Sequence, residues 1–97
     1  MNILDKVYKK SDSIVSRKIA DEFLLVPIKQ NVGDLESIYT LNEVATRVWE
    51  LIDGGKEVKE IKDKIVEEFE VTSQEAEKDL TSLLKQLLAV GAITKVQ

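Results

Sequence analysis

The chain has 97 residues, 43% of them hydrophobic and 33% charged, with a formal net charge of -4, a composition that suits one soluble domain with a modest core. It holds no cysteine and no histidine, which excludes disulfides, thiolate zinc sites, cysteine nucleophiles and histidine bases, so catalysis would fall to carboxylates, lysines or hydroxyls and no cofactor is expected. The acidic balance disfavours nucleic acid, whose affinity rests on Lys and Arg neutralising phosphates; no stretch nears the roughly 20 apolar residues of a membrane span, and Met1–Lys10 lacks a signal-peptide core, so a cytoplasmic protein is expected.

Residues 1–13, MNILDKVYKKSDS, mix charges and polar groups without a sustained period and read as a flexible arm outside a single domain of residues 14–97. Ile3, Leu4, Val7 and Tyr8 are also spaced for one amphipathic turn, which leaves a docking arm as the other reading. Ile14–Ala20 alternates as a strand, with Val15, Arg17 and Ile19 on one face. Asp21 and Glu22 are turn-compatible, and the apolar, β-rich run Phe23–Ile28 makes a hairpin with the first strand the simplest arrangement. Pro27 cannot donate to a ladder and belongs at a strand end or edge. Asn31 and Gly33 supply a second turn. Leu35–Leu41 alternates again, with Leu35, Ser37, Tyr39 and Leu41 opposite Glu36, Ile38 and Thr40.

The pattern then changes period. Asn42 has a side-chain oxygen suited to capping a helix, and Val44, Ala45, Val48, Leu51 and Ile52 follow at helical spacing, with Gly54 and Gly55 expected to stop the helix. Val58, Ile61, Ile65 and Phe69 mark a second helix with a charged outer face. Thr72-Ser73-Gln74-Glu75 is a capping box opening a third helix at about Ser73. Its stripe of Ala76, Leu80, Leu83, Leu84, Leu87 and Leu88 is wider than one neighbouring helix needs. Gly91 ends it, and Ala92–Val96 remains as a short extended piece.

The layout is an α+β, winged-helix-like fold: a three-stranded antiparallel sheet followed by three helices, β-β-β-α-α-α. Such a fold has DNA binding as its precedent, with the third helix in the major groove. Here the first two turns of that helix carry Glu75, Glu77 and Asp79 against Lys78, carboxylates that would repel the flanking phosphates. A winged-helix DNA-binding regulator therefore stands as an alternative, as does a structural homodimer closing its sheet edge against a copy of itself.

Leu41-Asn42, Trp49, Asp53-Gly54, Val58 with Glu60-Ile61, and an Asp79-Leu80 helix ending in Leu87 and Gly91 together resemble the PqqD family, with Arg17 and Leu24-Leu25-Val26-Pro27 fitting its strands. The resemblance spans about Val15 to Ile93. It implies a non-catalytic module that holds the leader of a ribosomally made precursor peptide and presents it to a modifying enzyme, often a radical SAM protein. It places the leader along the third strand, beside the third helix, implying Glu36, Ser37, Ile38, Tyr39 and Thr40 for backbone pairing. Asp79, Ser82, Leu83 and Gln86 are assigned to side-chain contact because a helical wheel leaves Leu80, Leu84 and Leu87 as the buried centre.

A free sheet edge fits this role physically, since its unpaired amides and carbonyls can accept an added strand. Four or five such bonds, at about 0.5–1.5 kcal/mol net each, supply about 2–7 kcal/mol, whereas micromolar binding needs about 8 kcal/mol. Side-chain pockets must provide the rest. Lys78 and Lys85 are either exposed lysines without a role or partners for an acidic leader. Trp49 is either a core anchor or a contact residue, and Tyr39 either packs in its strand or meets the peptide. Asp53 is explained by capping a turn.

Overall fold

A computed structural model describes residues 3–27 and 39–96. A short 3-10 turn at Ile3–Asp5 leads into β1 (Tyr8–Lys10), β2 (Ile14–Ile19), β3 (Glu22–Pro27) and β4 (Tyr39–Leu41). Three helices follow, α1 (Glu43–Leu51), α2 (Val58–Phe69) and α3 (Ser73–Ala89), and then β5 (Ile93–Lys95). This is the expected α+β architecture, with β2, β3 and β4 forming an antiparallel sheet in that order.

The β2–β3 hairpin closes through Ala20 and Asp21, with Ile19 opposite Glu22. Ala20 takes a φ of 56°, as the first central position of a two-residue hairpin turn can require for its twist to match the strands. Alternation along the register sends Phe23, Leu25, Tyr39 and Leu41 to one face of the sheet and Val15, Arg17, Ile19, Leu24, Val26 and Thr40 to the other. The first face lies on the core, where Leu25 and Leu41 are buried; Val15 and Ile19 on the second stay exposed. Pro27 ends β3. Ile28 and the Leu35–Ile38 part of the expected third strand lie outside the described residues.

Within the stretch read from the sequence as a flexible or docking arm, residues 3–13 are described and include β1. β1 pairs antiparallel with β5, setting Tyr8 opposite Lys95 and Lys10 opposite Ile93, and Tyr8 is 6% exposed. Tyr8 O accepts from Gly54 N at 3.1 Å, Lys6 O from Val58 N at 2.9 Å and Val7 O from Val96 N at 2.8 Å. Three separate parts of the chain thus satisfy backbone groups of this segment, as burial of Tyr8 requires.

Helix starts follow the local chemistry. Asn42 Oδ1 accepts from Ala45 N at 2.8 Å. Glu57 N donates to the Glu60 carboxylate at 2.8 Å, a cap at the start of α2 that was not read from the sequence. Thr72 Oγ1 accepts from Glu75 N at 3.1 Å, and Thr72 N donates to Glu75 Oε1 at 3.4 Å, the reciprocal box expected for α3.

The stop of α1 corrects the expectation. The helix ends at Leu51, and Ile52 is already extended (φ -77°, ψ 104°), so the glycines lie beyond the stop. Ile52 is 1% exposed, and leaving the helical path there turns its side chain into the core. Gly54, at φ 85°, serves the turn that follows, where Asp53 Oδ1 accepts from Gly55 N at 2.9 Å and Lys56 N at 3.1 Å. The Lys56 ammonium and these two amides pull the Asp53 carboxyl down to about 2.

The core joins Leu25 and Leu41 from the sheet to Val48, Trp49, Leu51 and Ile52, Val58, Ile61 and Ile65, and Ala76, Leu80, Leu84 and Leu87. Trp49 is 3% exposed and so is a core anchor; Lys10 Nζ lies 5.2 Å from its ring centroid. Leu88, placed in the α3 stripe by its spacing, is 39% exposed and lies outside the core. Among the described residues, no helix is long and apolar enough to cross a membrane.

Candidate functional site

β4 is the margin of the sheet: among the described residues it pairs with β3 alone, through Leu25 and Tyr39, Leu24 and Thr40, and Phe23 and Leu41. The terminal strand β5 has gone to β1 instead, so the chain's own tail does not cover this edge. The opposite margin, β2, carries Arg17 and Lys18, both exposed, charges of the kind that discourage edge-to-edge pairing. The described part of β4 has none.

Beside this end of the sheet lies a groove of about 390 Å³ between α1 and α3. Its α1 wall is Asn42, Val44, Ala45 and Val48; its α3 wall is Ala76, Asp79, Leu80, Ser82, Leu83 and Gln86; Ile65 and Val71 complete it. The four α3 residues singled out from the wheel, Asp79, Ser82, Leu83 and Gln86, therefore line one concave surface together. Residues 79, 82, 83 and 86 follow the three- and four-residue steps that keep side chains on one helix face. Leu84 and Leu87 point elsewhere, into the core, each 0% exposed.

Of the residues assigned to backbone pairing, Tyr39 and Thr40 are on β4, Tyr39 half-buried and Thr40 exposed; Glu36, Ser37 and Ile38 lie outside the described residues. The Tyr39 hydroxyl donates to Gln86 Oε1, tying the start of β4 to the fourth turn of α3. This contact sets how far the strand margin stands from the helix, and it joins two residues 47 positions apart.

Sequence reasoning did not assign Val44, Ala45, Val48, Ile65, Val71, Ala76 or Leu80 to the groove, although it placed most of them on buried helix faces. The width of the α3 stripe was the available signal: a helix with more apolar surface than one neighbour covers leaves part of it lining a cleft. The polar members are few. Asn42 is occupied as the α1 cap and Gln86 by Tyr39. Lys78 lies with Gln74, Glu77 and Thr81 around a shallow surface on a different side of α3, and Lys85 does not line the groove.

Electrostatics elsewhere are structural in kind. Arg47 on α1 is bound by Glu68 of α2 at 2.7 Å and Glu50 at 3.2 Å, which raises its already high pKa and lowers that of Glu68. Among the described residues, no three carboxylates converge into a group that could hold a metal ion. The arrangement provides a strand edge, an apolar trough and a polar rim, which are the parts required to bind an extended chain.

A family model described as Coenzyme PQQ synthesis protein D (PqqD) matches residues 31–93. Among solved structures, the chain is similar to TbiB1 in complex with the TbiA(beta) leader peptide, at 30% identity over 92% of this chain and 98% of that one, with a TM-score of 0.75. No curated protein matches it. With the family match running from before β4 through the helices that wall the groove to the start of β5, the chain belongs to the PqqD family.

Proposed function

We propose that this protein is a non-catalytic binding module that holds the leader of a ribosomally synthesised precursor peptide by strand addition to β4. It presents that peptide in the cytoplasm to a separate modifying enzyme, of radical SAM type as the family resemblance implies. The observation that carries this reading is a strand margin left open among the described residues, with an apolar groove adjoining it. The margin supplies backbone hydrogen bonds in any sequence; the groove supplies the side-chain burial that those bonds lack for micromolar affinity. TbiB1, similar in fold and sequence, was solved with a leader peptide bound.

The pairing run extends over Glu36, Ser37, Ile38, Tyr39 and Thr40, with Asp79, Ser82, Leu83 and Gln86 contacting the peptide's inward side chains. Among the described residues, the groove's polar groups are an occupied cap, an occupied amide, a hydroxyl and a carboxylate, with no base hydrogen-bonded to a nucleophile, which supports binding rather than chemistry. The DNA-binding alternative is opposed by exposed Glu75 and Asp79 at the start of α3. Self-association through β2 is opposed by Arg17, which a two-fold pairing centred on it would set against its own copy.

Titrating the leader of the protein's own precursor into 15N-labelled chain tests the reading. Amide shifts should concentrate on Tyr39–Leu41 and on the groove side of α3. N-methylation along the peptide should abolish binding at alternate positions, because an added strand turns every second amide toward its partner. Shifts restricted to β2, or an N-methyl scan without alternation, would refute strand addition at β4.

A further inference from the structure

The groove has a charge preference written into its rim. Among the described residues, Asp79 is the one charged residue lining it. It is exposed and, among the described residues, forms no hydrogen bond or ion pair. The neighbouring carboxylate on the same helix, Glu75, is spent on the Thr72 cap, and neither α3 lysine faces the groove. The field of the surrounding body has the same sign: residues 43–89 hold twelve Asp and Glu against seven Lys and Arg. A cationic ligand is thus drawn toward this face and meets an unpaired carboxylate when it arrives.

Strand geometry says where the cation must sit. In a peptide added to β4, inward side chains recur at every second residue, about 6.6–6.8 Å apart. We propose that the groove selects leader segments in which an apolar side chain is accompanied, two residues away, by a lysine or arginine, with Asp79 as the residue that reads the cation. This inference rests on strand addition at β4 and goes beyond it in naming the chemistry of the bound sequence.

A random dodecapeptide library displayed on phage, selected on the immobilised full chain and on Asp79→Lys, separates the two claims. Asp79 is an exposed helix-surface residue, so the variant keeps its fold, which a melting curve checks. The expected result is enrichment of an apolar residue with Lys or Arg two positions away on the natural chain, and of Asp or Glu at that position on Asp79→Lys. A peptide taken from the first selection should bind Asp79→Asn about three- to fivefold more weakly, as for an exposed ion pair, and Asp79→Lys more weakly still. Val44→Trp and Leu83→Trp, plugging the groove from opposite walls, should both abolish its binding. Groove-dependent peptides with no charge preference at that spacing, or the same peptides on both baits, would overturn the cation inference and leave strand addition standing. Failure to recover any peptide that either tryptophan variant blocks would overturn both.

Discussion

Removing the Tyr8 ring tests whether the N-terminal segment belongs to the domain. Tyr8 is 6% exposed, and burial pushes its hydroxyl pKa up, so Tyr8→Ala opens a cavity where β1 meets the core while leaving the backbone bond to Gly54 and the pairing of β1 with β5 in place. Deleting a buried aromatic ring costs about 3–5 kcal/mol. At about 4–8 °C per kcal/mol for a domain this size, the lower figure means a melting point about 12–24 °C lower, a large part of a total stability of about 5–15 kcal/mol. Trp49, the sole tryptophan, lies beneath Lys10 of the same strand, so urea unfolding followed by its fluorescence reports on the segment directly. Tyr8→Phe, which keeps the ring, should lose far less. A Tyr8→Ala loss below about 0.5 kcal/mol, within the range of ordinary surface substitutions, would mean that residues 3–10 lie outside the cooperative unit. Tyr8 does not line the groove, so leader affinity of the folded protein should be unchanged.

Leu84→Ala, at a position 0% exposed, should cost about 2–5 kcal/mol in urea denaturation, whereas Leu88→Ala, 39% exposed, should stay within about 0.5 kcal/mol; equal losses would contradict the assignment of the α3 faces. Tyr39→Phe removes the hydroxyl that holds β4 to Gln86 and should weaken leader binding by about 0.5–1.5 kcal/mol, or about two- to tenfold, measured by calorimetry. Acid should destabilise the fold in a defined window. The Asp53 carboxyl sits at about 2 against an ordinary 3.8, so the folded state binds fewer protons than the unfolded one there. Its stabilisation is complete above about pH 4 and is lost as pH falls through about 2. Urea midpoints from pH 5 to 2 should therefore fall less steeply in Asp53→Asn.

What could be read from residues alone was what nearest neighbours decide. Asn42 and the Thr72–Glu75 box are local chemistry, their hydrogen bonds spanning three residues, so the starts of α1 and α3 were legible. The 3.6-residue period likewise separated Leu80, Leu84 and Leu87 from Asp79, Ser82 and Gln86 before any packing was known. The glycines misled because a helix can be ended by where its next side chain must go: Ile52 is taken into the core two residues before Gly54.

The order of the three-stranded sheet and the three helices, the two good N-caps and the buried centre of the α3 stripe were determined by sequence, because each depends on propensity or on a period within one element. Only tertiary structure decided that Tyr8–Lys10 joins Ile93–Lys95, since strands of three residues carry no period and their pairing closes a loop of most of the chain. That closure sends the C-terminal strand to β1 and, among the described residues, leaves the β4 margin open. It is also the packing of α1 and α3 on either side of α2, bringing together residues some 35 positions apart, that makes a trough from two ordinary amphipathic faces and turns Asp79 from one more surface carboxylate into a charge at its rim.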